Sequence, residues 1–275
     1  MLSKIHHVGI AVRNADQALG FYRDVLGMPV TKDEVIEDQG VRGVLLAAGE
    51  GEIELLEPIR ADTGIARFLA SRGEGLHHLC FATDDIEAEL ETARAKGLPL
   101  IDQTPRLGLA GRIAFLHPRA TRGVLVEYAQ PPGNGSKHDP IGGAGVHELD
   151  RVVVAVTDLD AGVQTYEQNF TLTERERWEQ AHLNLRAAAL PIGAALLELV
   201  APVGDSGALA EFLKRRGEGM YLISLAVPSL DRAVQTLEAA GRPTTPPAVA
   251  LGPPLAFVSP RLTNGVLIQL VGRQP

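Results

Sequence analysis

Two glutamates and two pairs of adjacent histidines in the first half of the chain have the types and spacing to bind a divalent metal. The histidine pairs are His6-His7, in IHHVGIAV (5–12), and His77-His78, in HHLCFAT (77–83). Both runs are β-branched and apolar, as buried strands are. Side chains alternate faces along a strand, so one histidine of each pair faces the inner surface of a sheet. Glu54 and Glu127 interrupt otherwise apolar strands. A carboxylate in such a place must be paired, protonated or bound to something. Imidazole and carboxylate together suit Zn, Co, Ni, Mn or Fe(II). Taken singly, each of these residues is more often a solvated or hydrogen-bonded side chain than a ligand. The residues alone also leave open which histidine of each pair would serve.

Repetition gives them weight. The strand at 5–12 precedes a helix that Asn14 caps, with Gln17 completing a capping-box-like pair and Gly27 ending it. Two short strands then occupy 41–58, split at Gly49–Gly51. Residues 76–131 repeat the plan: HHLCFAT matches HHVGIAV, a helix runs from Asp84-Asp-Ile to Gly97, and IAFLHP and GVLVEYAQP follow as strands. The offset is 71 for His7 and His78 and 73 for Glu54 and Glu127. The pattern recurs at larger scale with an offset of 144, which becomes 142 after a two-residue deletion: LDRVVVAV copies IHHVGIAV and FLKRRGEGMYLISLAV copies FLASRGEGLHHLCFAT. The expectation is an α+β fold of four βαβββ modules in two domains. A metal-binding domain fills 1–131, a Pro/Gly-rich linker 132–147, and a second domain 148–275. If the first two modules are related by a pseudo-two-fold, their equivalent histidines and glutamates converge near its axis.

The second half is an internal control. Arg151 stands where His7 does, Leu222 where His78 does and Gln269 where Glu127 does, while Glu198 alone persists as the counterpart of Glu54. The apolar pattern that makes the fold survives and the proposed ligands do not. Their loss from one half fits a site-specific role in the other.

Composition narrows the rest. With 45% hydrophobic and 22% charged residues the chain is ordinary globular material, not a disordered one. Residues 1–135 carry 14 Lys+Arg against 19 Asp+Glu and the remainder 12 against 15, so both halves share the net charge of −8 and no basic patch invites nucleic acid. The single cysteine, Cys80, excludes an intrachain disulfide and points to a reducing compartment. The most apolar stretch, 187–202, contains Pro191, Gly193 and Glu198 and is too short to span a membrane. The opening residues offer only a five-residue apolar run, so a cytoplasmic location is expected.

The words KIHHVGIAV, FYRDVLGM, EDQGVRGVLL, IELLEP, IARFLASRGEGLHHLCFATDDIEAELE, LIDQTPRLGLAGRIAFLHP and GVLVEY run through 4–131. Together they resemble the vicinal oxygen chelate superfamily and, more narrowly, the methylmalonyl-CoA epimerases. The second half resembles the same superfamily without its site. The chain thus looks like a two-module dimer fused head to tail, a pseudo-dimer with one degenerate half, acting as a monomer or as a homodimer. The resemblance implies one divalent ion (Co, Zn, Mn, Ni or Mg) on His7, Glu54, His78 and Glu127, the second histidine of each pair being favoured. This chain has His6 where the family commonly has Asp, and Gly43 where some epimerases carry a further glutamate read as a base.

The implied reaction inverts the α-carbon of a methylmalonyl-CoA-like thioester through an enolate that a divalent metal stabilises. Inversion requires general bases on both faces. Glu127 is the first choice and Glu54 the second, with a purely structural role as ligands standing beside it. The partner would be an acyl-CoA, with Arg106, Arg112, Arg119 and Arg122 available to its phosphates though solvated by default. His117 and the GLAG loop (108–111) read as turn residues first and substrate contacts second. A glyoxalase I-like lyase would use the same ligand set. An extradiol dioxygenase would need two histidines and one carboxylate on Fe(II), in the other half. A small-molecule binding protein of the same superfamily would lack the metal set.

Overall fold

The computed structural model describes residues 1–133, 138–247 and 253–274, so residues 134–137 of the expected linker lie outside the described residues. The first module is β1 (Leu2–Ala11), α1 (Ala15–Tyr22), β2 (Val30–Ile36), β3 (Val41–Ala48) and β4 (Gly51–Pro58). Helix α2 (Gly64–Arg72) leads into the second: β5 (Gly75–Thr83), α3 (Ile86–Ala95), β6 (Arg106–Gly108), β7 (Gly111–Leu116) and β8 (Leu125–Gln130). The second half repeats this with β9 (Glu148–Ala155), α4 (Leu159–Phe170), β10 (Glu176–Gln180), β11 (Leu185–Ile192) and β12 (Ala195–Pro202). After α5 (Ala208–Arg216) come β13 (Gly219–Val227), α6 (Leu230–Ala239), β14 (Leu255–Val258) and β15 (Ile268–Gly272). The strands of 2–130 form one eight-stranded sheet, ordered β2-β3-β4-β1-β5-β8-β7-β6, and those of 148–272 a seven-stranded one, ordered β10-β11-β12-β9-β13-β15-β14. The fold is therefore α+β, with two tandem domains of repeated βαβββ modules. In the fourth module a lone bridge, Thr244 to Val258, repeats the Leu100 to Leu116 bridge of the second.

The repeat is enforced locally. The first helix of every module starts on a side chain that accepts from the backbone N–H three residues on: Asn14, Asp85, Asp158 and Ser229. Such a cap contributes about 0.5–2 kcal/mol over alanine. Helix α1 stops at Tyr22, short of the expected Gly27. The apolar periodicity through Leu26 and Met28 reports complete burial of a turn, not more helix. Gly27, at φ +81°, could not carry a side chain, because a Cβ would sit 1.9 Å from the Gly142 carbonyl oxygen. Helix α2 went unforeseen because it buries only Ile65 and Leu69, too narrow a stripe to read as periodic.

By internal contacts the chain forms two compact units, and each draws on both halves. One comprises Met1–His6, His78–Gly133 and Arg151–Tyr221. Within it the Tyr166 hydroxyl donates to the Thr121 carbonyl (3.0 Å), and a Cβ on Gly123 would meet the Glu218 carbonyl oxygen at 2.0 Å. The other comprises His7–His77, Asn134–Asp150 and Leu222–Pro275. Within it Tyr22 donates to Thr263 (3.1 Å) and Gly265 closes on Glu74 in the same way. The described part of the linker forms no helix or strand, but it is tied to the end of α1. Ile141 donates to Gly27, Ala144 to Val25 and Val146 to Leu26. Among the described residues no helix is long and apolar enough to cross a membrane.

Candidate metal centre

Strand pairing places the sites. β1 and β4 run parallel with Gly9 opposite Glu54. His7 lies two residues before Gly9 and so shares a face with Glu54. β5 and β8 repeat the register, with Cys80 opposite Glu127 and His78 two residues before Cys80. Contacts follow: His7 Nε2 stands 3.5 Å from Glu54 Oε2, and His78 Nε2 stands 2.9 Å from Glu127 Oε2. Each compact unit therefore holds one His–Glu pair. All four residues are at most 5% exposed.

Imidazole nitrogen beside carboxylate oxygen, buried within apolar strands, fits the donor preferences of a divalent metal. The side chain between each ligand pair is small, Gly9 in one module and Cys80 in the other. The two histidines of the second pair face opposite ways. His77 turns to the other face, where its ring meets Phe68 of α2 edge-on at 5.0 Å. His6 is buried, with a ring nitrogen within 4.8 Å of Cys80 Sγ.

Other residues fall into supporting roles. His117 Nδ1 accepts from the Arg119 N–H and caps a short 3-10 turn at 118–120, as Ser259 does in the second half. Gly108 and Gly111 close the β6–β7 hairpin. Arg112 is paired with Glu87, and Arg122 donates to Thr165 Oγ1 and the Ala161 carbonyl. Two inner-face placements escaped the sequence reading, that of Glu52 and that of Arg106, which the sequence offered only to the CoA phosphates. Glu52 opposes His7 in register and accepts from Thr31 Oγ1 at 2.6 Å; the period of two counted back from Glu54 would have found it. Arg106 reaches the same face as Glu127, but its strand is three residues long and gives no period to read.

The second half is built differently at the same places. Glu198 opposes Val153, and Arg151 Nη1 stands 2.5 Å from Glu198 Oε2. Gln269 opposes Ser224, whose buried hydroxyl has no hydrogen-bond partner among the described residues.

Residues 6–115 and 148–270 each match a family model described as the Glyoxalase/Bleomycin resistance protein/Dioxygenase superfamily. The uncharacterized protein YqjC of Bacillus subtilis is 39% identical over 134 residues, 48% of this chain and 96% of that protein. Mitochondrial methylmalonyl-CoA epimerase of Mus musculus is 35% identical over 131 residues, 47% of this chain and 74% of its own. The epimerase match falls on the N-terminal half. A mutant 4-hydroxymandelate synthase from Streptomyces coelicolor shares the fold over 100% of this chain and 94% of its own, with a TM-score of 0.75 at 18% identity.

Proposed function

We propose that this chain, which belongs to the Glyoxalase/Bleomycin resistance protein/Dioxygenase superfamily, is a metal-dependent isomerase that epimerises the α-carbon of a methylmalonyl-CoA-like thioester. The observation that carries the reading is the buried His–Glu pair made twice, in the half that is 35% identical to an epimerase. His7, Glu54, His78 and Glu127 would together hold one divalent ion, in a domain spanning 1–131. When bound, such an ion supplies Lewis-acid stabilisation to negative charge developing on substrate oxygens.

The rest is work for the side chains. The α-proton must leave from one face of the carbon and a proton must return to the other. Glu127 takes the proton on a carboxylate oxygen, and Glu54, its counterpart in the other module, returns one from the opposite side. His7 and His78 hold the two carboxylates in place. Between turnovers Glu127 gives its proton to solvent and Glu54 takes one up, which is what admits solvent hydrogen to the α-carbon. Domain 148–275, joined through 132–147, would hold no metal of its own.

The test is solvent exchange. Metal-loaded protein in D2O should wash deuterium into the α-position of methylmalonyl-CoA, read by mass spectrometry. Absence of exchange, with turnover of a glutathione hemithioacetal in its place, would assign the chain to lyase chemistry.

A further inference from the structure

We propose that Arg106 seats the free carboxylate of the substrate's acyl group and so selects malonyl-type thioesters; the inference rests on the isomerase reading above. The sheet sets the geometry. Arg106 on β6 opposes Ile113 of β7, and Phe115, two residues on, opposes Glu127 of β8. Alternation then puts Arg106, Phe115, Glu127 and His78 on one face. The contacts agree. The Arg106 guanidinium carbon lies 5.5 Å from the centre of the Phe115 ring, and that ring meets the His78 imidazole edge-on at 5.4 Å. A fixed positive charge therefore stands one aromatic ring away from a proposed ligand.

The guanidinium is held but not saturated. Its Nε lies 3.5 Å from an Asp102 carboxylate oxygen, and the other Asp102 oxygen accepts from the Phe115 N–H at 2.9 Å. The side chain as a whole is 37% exposed, but Nη1 itself is buried and has no hydrogen-bond partner among the described residues. A buried charged donor left unmet is costly and rare in a native fold. The planar fork of arginine matches a carboxylate, and an incoming carboxylate would meet the unsatisfied N–H. In a malonyl-type thioester the free carboxylate is bonded directly to the carbon that exchanges its proton. It is thus the anion that arrives closest to Glu127, whereas the CoA phosphates lie far along the thioester arm. The same lattice position in the first module is Glu34, opposite Gly43.

Calorimetric titration of the metal-loaded protein with malonate and with free CoA tests the seat without turnover. Arg106→Met should weaken malonate by about tenfold or more, the scale of a hydrogen bond to a charged group, with Arg106→Lys between it and wild type. Free CoA should bind all three alike. Unchanged malonate affinity in Arg106→Met, no malonate binding in wild type, or an equal loss for free CoA would each overturn the proposal. Near-ultraviolet circular dichroism checks that the variants fold, and Arg106→Lys carries the test if Arg106→Met does not. In the exchange assay KM for methylmalonyl-CoA should rise more than kcat falls. Failure of exchange in wild type with malonate results as expected would sink the isomerase reading alone; full exchange with malonate indifferent to Arg106 would sink only the carboxylate seat.

Discussion

The same corner of the sheet is built twice, on β1 and β4 and on β9 and β12, with different chemistry. In the first, His7 faces Glu54 at 3.5 Å; in the second, Arg151 faces Glu198 at 2.5 Å. Both glutamates are buried, and both sit in the same parallel register, opposite Gly9 and Val153. The register survives either pairing, so histidine is not needed to make the fold. What differs is the source of positive charge. Arginine brings a permanent cation, carried by the chain itself, into an ion pair with Glu198. Histidine brings an imidazole, whose nitrogen can serve as a metal ligand. A buried carboxylate is kept in both halves, beside an imidazole in one and a guanidinium in the other.

The comparison breaks first on metal content. One divalent ion per chain is expected, and exchanging His78 for the residue of the second half, His78→Leu, should weaken it by more than the 10–100-fold that losing a mere outer-shell partner costs. Mass-spectrometric metal analysis after dialysis reads this; two ions per chain, or full retention in His78→Leu, would show that the halves do not differ as described. The next exchange is Glu127→Gln, which again copies the second half. It keeps shape and removes the proton acceptor, so solvent deuterium incorporation should fall by roughly 10²–10⁴, the usual reach of general base catalysis. Full exchange in that variant would remove Glu127 from the proton path and leave it a ligand only.

Much of this was legible in the sequence because repetition and alternation are both period signals. The four modules, the cap at Asn14 and the recurrence of one histidine pair and one glutamate in each of the first two modules follow from spacing alone. The facing of His77 and His78 did not, since alternation says that one faces inward and not which; His77 is the one that turns to Phe68. Nor did the two compact units, which join modules distant in sequence through single hydrogen bonds such as Tyr22 to Thr263, 241 residues apart. No local pattern encodes a partner that far away. Short strands were silent for the same reason: β6 has three residues, so neither its existence nor the inward turn of Arg106 leaves a period.

A smaller effect is expected from breaking the replacement pair. Arg151→Met leaves Glu198, whose side chain is 11% exposed, without its nearest cation. Because both side chains keep some water, the cost should be about 1–3 kcal/mol, below that of a fully buried pair. Chemical denaturation measures it. The double variant Arg151→Met with Glu198→Gln should recover most of the loss, since the stranded charge is gone. A double variant as unstable as the single one would mean that packing of the arginine stem, not charge, holds the corner.

The smallest expected effect concerns a feature the halves share. Arg42 on β3 bonds Asp33 on β2 and Asp16 on α1, while Arg177 on β10 bonds Asp160 on α4 and Glu174. Asp16 and Asp160 are equivalent positions, so each network ties the first helix of its module to an outer strand. Hydrogen bonds from the arginines hold the carboxyls of Asp33, Glu174 and Asp160 below their ordinary range. A carboxyl depressed in the fold contributes stability above its unfolded pKa and loses it as pH falls through the folded value. The differences between wild type and Asp33→Asn, and between wild type and Glu174→Gln, should therefore be present at neutral pH and vanish in acid. At such exposed sites the Arg42–Asp33 pair is worth roughly 0.2–1 kcal/mol at low salt and less at high salt. Denaturation curves of the two variants across pH should shift together. If only one half loses stability in acid, the two halves differ in their surface charge networks as well as at the metal corner, and the contrast between His7 and Arg151 is no longer the whole of it.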